Sequence, residues 1–114
     1  MVLGHTDCGG IKGACINLNL VHLTQLLDRV KPTLSDTNKL LDKNSVPSEK
    51  TGERTVGNRR YIAEVSHMNA KQSARQILQR SPLLYKKIKN QEIILLSGIY
   101  DVETGRVTFD AASS

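Results

Sequence analysis

Two side chains near the start of the chain are of kinds that hold metals: His5 and Cys8, in the run Val2-Leu3-Gly4-His5-Thr6-Asp7-Cys8-Gly9-Gly10. An imidazole and a thiolate in an H-x-x-C arrangement can reach one ion from a short loop that leaves a strand, and both are usual zinc donors. Flanking glycines allow the backbone to turn sharply. A helix beginning near Gly9 would set its positive dipole end beside Cys8 and favour the thiolate that a metal needs. A zinc site normally takes three or four protein ligands, however, and this pair supplies two. The competing reading of the same residues is a buried cysteine at a helix start beside a hydrogen-bonded histidine.

Cys8, Cys15 and His22 recur at seven-residue intervals and would share one face of an uninterrupted helix. Seven residues rise roughly 10 Å along a helix, too far for one zinc ion with bonds of about 2.0–2.3 Å. Cys15 is therefore read as a core residue and His22 as an exposed helix residue. The same rise puts the two cysteines beyond disulfide reach, so both are expected as reduced thiols. His67, beside Ser66, is read as solvent-facing or locally hydrogen-bonded.

The elements that must position these residues follow from pattern and punctuation. Val2-Leu3 is a short apolar stub with strand character, and Ile11 to Ile16 carries the small and apolar residues of a helix packed close to a sheet, although Gly13 weakens it. Val21, Leu23, Leu26, Leu27 and Val30 form a helical stripe that Pro32 is expected to stop. Residues 33–55 lose that periodicity, fill with Ser, Asp, Asn and Lys together with Pro47 and Gly52, and read as a long surface loop with one helical turn near 39–42. A long helix is expected over 56–80, with Ile62, Val65, Met68, Ala70, Ala74, Ile77 and Leu78 on its apolar face. Ser81 and Pro82 are the N-cap and first residue of a shorter helix that runs to about Lys89. Residues 92–100 form an almost continuous apolar run, as in a parallel strand covered on both faces. Turn residues at 101–105 then lead to an antiparallel edge strand at 106–109. No internal repeat is visible, and the order of elements describes an α/β layout.

With 114 residues, 39% of them hydrophobic and 24% charged, the chain holds at most one core. We expect a single domain over 1–114. The sequence has no long apolar run and no signal-like N-terminus, so a soluble cytoplasmic protein without a membrane span is expected. The net charge of +5 is dispersed, with small knots at Arg59-Arg60 and Lys86-Lys87-x-Lys89. Three tyrosines, one phenylalanine and no tryptophan provide few stacking platforms, so no nucleic-acid partner is expected and the basic residues read as solvated helix faces.

Taken together, Gly4-His5-Thr6-Asp7-Cys8-Gly9-Gly10 with Lys12 and Ala14, Ser81-Pro82-Leu83-Leu84, Gly98-Ile99-Tyr100-Asp101 and Thr104-Gly105-x-Val107 resemble the C-terminal half of the β-class carbonic anhydrases. The resemblance implies a parallel-sheet α/β fold with a C-terminal antiparallel edge strand, and zinc-dependent reversible hydration of carbon dioxide to bicarbonate. It implies that His5 and Cys8 are two of the zinc ligands, with Gly9 at the substrate. The family's third ligand and its Asp-Arg dyad lie in a C-x-D-x-R motif. That motif is absent from these 114 residues, and Cys15, followed by Ile16-Asn17-Leu18-Asn19, does not replace it. The expectation is thus a truncated member with an incomplete zinc site, no retained catalytic dyad and impaired hydration. The family resemblance further implies oligomerisation, as a homo-oligomer or with a full-length homologue. The alternative function is a non-catalytic interaction or assembly module.

Overall fold

The computed structural model describes residues 1–17, 23–43 and 57–110. Strand β1 (Val2–His5) leads into helix α1 (Gly9–Cys15), followed by α2 (Thr24–Lys43), α3 (Arg59–Arg80) and α4 (Pro82–Lys89). Strands β2 (Ser97–Tyr100) and β3 (Val107–Phe109) close the chain. The sheet order is β1-β2-β3, with β1 parallel to β2 from Val2↔Ser97 to His5↔Tyr100, and β3 antiparallel to β2 from Gly98↔Phe109 to Tyr100↔Val107. The expected parallel pairing and antiparallel edge strand are both present.

Helix α3 is the spine, lying against β1, β2, α1, α2 and α4. One side of it joins Ile11 to Tyr61, Ile62 and Val65 in an apolar cluster, with Cys8, Cys15, Val30 and Leu34 packed against it. Its far end joins Ala74 to Ile88 and Leu95 in a second cluster, over which Val2, Ile77 and Leu78 pack. Asn58 starts this helix by accepting from the amides of Arg60 and Tyr61, so the helix begins slightly later than the periodicity suggested. Ser81 caps α4 through Leu84 N–H and Pro82 occupies its first turn, as expected. At the other end of α4, Gln91 takes a left-handed φ of 61°, and the amides of Gln91 and Glu92 bond back to Ile88 and Lys87. These bonds satisfy helix carbonyls in a Schellman arrangement, with a glutamine where glycine is usual.

Two expectations are corrected. Pro32 does not stop a helix at residue 30. It lies inside α2, which continues through 33–43, where a loop was expected. The helical face there is buried but not apolar: Thr33 and Thr37, one turn apart, are almost fully enclosed. Thr33 Oγ1 lies 3.2 Å from Asn69 Oδ1 and 3.1 Å from Gln72 Oε1, Thr37 Oγ1 donates to Thr33 O at 2.7 Å, and Tyr61 donates to Asn38 Oδ1 at 2.9 Å. Beyond Leu34, which packs on the Ile11 cluster, it is these hydrogen bonds that register this part of α2 on α3, so a search for apolar spacing does not detect it. The rest of the expected loop, 44–55, lies outside the described residues, as do Val21 and His22.

The second correction concerns 92–100. Only Ser97–Tyr100 forms a strand, preceded by a single bridge at Leu95, while Ile93 and Ile94 are exposed. The ladder with β1 opens at Val2 N–H···O=C Leu96 (2.8 Å), and among the described residues no strand lies beside the earlier isoleucines. Apolar composition alone does not extend a strand beyond its partner. Among the described residues no helix is long and apolar enough to cross a membrane.

Candidate metal centre

The strand, loop and helix expected around His5 and Cys8 are formed. His5 ends β1 and is exposed; Cys8 is half-buried at the N-cap of α1; Gly9, exposed, is the first helical residue. Cys8 O accepts from Lys12 N–H at 3.0 Å, which opens the helix, while its side chain makes no capping hydrogen bond. A thiol that is not spent on the helix terminus is chemically available as a donor. It packs against the Ile11 cluster at the helix start, half-buried where the competing reading expected a buried cysteine.

His5 Nδ1 lies 2.8 Å from Thr6 O. A carbonyl only accepts, so Nδ1 carries a proton, and the nitrogen left to donate electrons to a metal is Nε2. Fixing the tautomer through a backbone carbonyl is how metal-binding histidines are commonly oriented. The loop therefore carries two side chains of the kinds zinc takes, His5 and Cys8. The set is nevertheless short: among the described residues no group of three or more His, Cys, Asp or Glu side chains is placed to hold a metal ion.

The loop is held from several sides. Thr6 N–H donates to Tyr100 O at 2.9 Å, and Thr6 Oγ1 accepts from Val102 N–H at 3.0 Å, which ties the loop to the hairpin turn between β2 and β3. Asp7 provides the sharp turn, with φ of 55°, so the unusual backbone falls on the aspartate and not on the neighbouring glycines. Its carboxylate pairs with Lys12, whose hydrogen bond and charge hold the Asp7 carboxyl below its ordinary range. Beside the loop, an open cleft of about 170 Å³ is bordered by Thr6, Asp7, Arg59, Asp101 and Glu103. Arg59 and Glu103 pair across it at the surface, where such pairs contribute little.

Cys15, like Cys8, packs against the Ile11 cluster, as expected of a core residue, and burial pushes its thiol above the ordinary value. Both cysteines are free, as expected. His67 is neither solvent-facing nor bonded locally: its Nε2 lies 2.6 Å from Asp110 Oδ1, 43 residues away. Asp110 also accepts from Ser97 Oγ at 2.6 Å, with Lys71 Nζ 3.6 Å distant. Sequence reading missed this cluster and the Thr6 staple. Neither has a local signature, because the partners come together only through the sheet and α3.

This architecture, a parallel β1-β2 pair with an antiparallel edge strand, a spine helix across it and a His-x-x-Cys loop at the strand end, is that of the β-class carbonic anhydrases. Crystal structures of two tetrameric β-carbonic anhydrases from the filamentous ascomycete Sordaria macrospora include a chain that matches 98% of this one with a TM-score of 0.71 at 16% identity, over 52% of that chain. The family profile described as carbonic anhydrase matches residues 1–107, and the chain belongs to that family. A carbonic anhydrase of Saccharomyces cerevisiae is 28% identical over 112 residues, covering 92% of this chain and 45% of the yeast protein. The chain thus spans about half the length of these relatives.

Proposed function

We propose that the chain serves zinc-dependent, reversible hydration of carbon dioxide to bicarbonate, with His5 and Cys8 as two of the metal's ligands. The observation that carries this reading is the family match across the loop on which the two donors stand. Zinc supplies, when bound, the acidity that makes hydroxide available near neutral pH. His5 contributes Nε2, oriented by the Thr6 carbonyl, and Cys8 contributes a thiolate. Gly9 leaves open space where a side chain would stand, with nothing within 4 Å of an added Cβ, and this is where a small substrate approaches. The 114 residues contain no C-x-D-x-R motif, the segment in which the resemblance puts the third ligand and the Asp-Arg dyad that orients the zinc-bound hydroxide, so on their own they are expected to hydrate carbon dioxide poorly.

Zinc titration and stopped-flow hydration of the 114-residue chain test this. We expect zinc affinity to fall at least tenfold in His5→Ala and in Cys8→Ser, and hydration by the unaltered chain to stay near the buffer rate. Unchanged zinc affinity in both variants would remove these residues from the site. Rapid hydration by the chain alone would show that a sufficient donor set already lies within it.

A second reading, an assembly module, is favoured by the sheet edge. Among the described residues no strand pairs with the outer edge of β1, where Leu3 is 40% exposed. Such an edge is a template for association. The partner is a second copy or a full-length homologue, and light scattering of the chain with and without that homologue would reveal the complex. A strictly monomeric chain that captures nothing would eliminate this reading.

A further inference from the structure

We infer that the surface carried by α4 docks onto an anionic lipid bilayer, with Leu83 entering the headgroup boundary and Lys86, Lys87 and Lys89 meeting the acidic lipid headgroups around it. The inference is independent of the zinc reading and goes beyond it. Basic residues occur throughout the chain, but acidic ones do not. Residues 65–100 carry Lys71, Arg75, Arg80, Lys86, Lys87 and Lys89 against Glu92 alone, a surplus equal to the net +5 of all 114 residues, so the remainder of the chain is electrically balanced. None of the six is buried. Asp110 stands 3.6 Å from Lys71 and Glu92 3.9 Å from Lys87, while Arg75, Arg80, Lys86 and Lys89 form no ion pair among the described residues.

Helix α4 adds apolar surface to this charge. Its Ile88 turns inward to Ala74 and Leu95. Leu83 lies about 140° round the helix from Ile88, is 65% exposed, and has Lys86 and Lys87 one turn along on its own side. Tyr85 is exposed as well, and Lys89 Nζ stands 5.8 Å from the centre of its ring. An outward leucine among lysines, with a tyrosine beside them, suits a helix that lies in a membrane interface. There the lysine stems run along the apolar boundary and lift their ammonium groups to the headgroups. Basic clusters of this size recognise anionic lipids through charge. Nucleic acid, which such a cluster would meet through its phosphates, offers Leu83 nothing to bury against. Protein interfaces favour arginine and are depleted in lysine, the only cation on α4. Attachment of this kind is peripheral and reversible, since one leucine adds only a shallow apolar contact to the charge.

Co-sedimentation of the full chain with vesicles tests this, using phosphatidylcholine alone and phosphatidylcholine mixed with phosphatidylserine. The expected result is binding to the mixed vesicles only, weakening as salt is added. Lys86→Gln combined with Lys89→Gln should weaken that binding at least tenfold. Arg29→Gln combined with Lys39→Gln removes the same charge from α2 and should leave it largely unchanged. The chain has no tryptophan, so Leu83→Trp reports directly on the contact, and its emission should shift to the blue on mixed vesicles. Failure of the unaltered chain to bind the mixed vesicles at low salt would overturn the proposal, whatever the variants do. Equal losses in the two double variants would overturn it in favour of whole-molecule charge. Binding to polyglutamate as tight as to the mixed vesicles, with no blue shift on lipid, would overturn it in favour of an acidic protein.

Discussion

At Gly98 the hydrogen of glycine stands where any other side chain would strike backbone. An added Cβ would lie 2.5 Å from Thr108 O and 3.2 Å from Phe109 Cα, across the β2-β3 pair. At Gly4 it would lie 2.8 Å from Ser66 O on α3, so this glycine sets how closely the strand before the His5–Cys8 loop approaches the spine helix. Neither obstacle is a flexible side-chain end. Gly98→Ala and Gly4→Ala are each expected to cost about 1–3 kcal/mol, the overpacking range, whereas Gly9→Ala, with open space around it, should be far milder on packing grounds. Urea denaturation of the three variants measures this, and equal midpoints for all three would contradict it. The sequence displayed these glycines but did not distinguish them: Gly9 and Gly4 flank the same motif, and only the position of α3 separates the crowded one from the open one.

Between elements, Asp110 is the clamp that holds the end of β3 to β2 and α3. Burial by itself raises its carboxyl, but the hydrogen bonds with Ser97 and His67 and the charges of His67 and Lys71 outweigh that, and the net shift is downward from 3.8. A carboxyl lowered in the folded state stabilises the fold above its unfolded value, and that contribution disappears as the pH falls through 3.8 and then the folded value. Asp110→Asn should therefore cost about 1–3 kcal/mol near neutrality. The gap between wild type and variant should narrow as the pH drops below about 4. Thermal melts of both proteins from pH 7 to pH 3 would show it, and a gap independent of pH would refute the clamp. Also at this scale, α2 shows how tertiary context overrides punctuation. Pro32 and the polar 33–55 stretch argued for a loop, yet through residue 43 a helix forms, and the Thr33–Asn69 and Tyr61–Asn38 contacts hold it.

For the molecule as a whole, two modest apolar clusters share one helix, so the fold depends on α3 more than on the sheet. Ile62, fully buried, belongs to the cluster that also receives Cys8. Ile62→Ala should cost about 2–5 kcal/mol. That is a large part of the 5–15 kcal/mol typical of a domain. Loss of a cooperative urea transition, or a midpoint shift of that size, is the expected result, and a shift below about 1 kcal/mol would show that α3 is not the spine. The sequence by itself determined the family to which the first loop points, the α/β order, the Ser81-Pro82 helix start and the closing hairpin. Each of these is written in residues close together in the chain, whose turn, cap and donor chemistry acts locally. Only the tertiary structure decided that α2 runs through Pro32, that β2 is four residues long, and that His67 answers to Asp110. Those outcomes depend on which surface meets which across the fold, and local pattern carries no record of that.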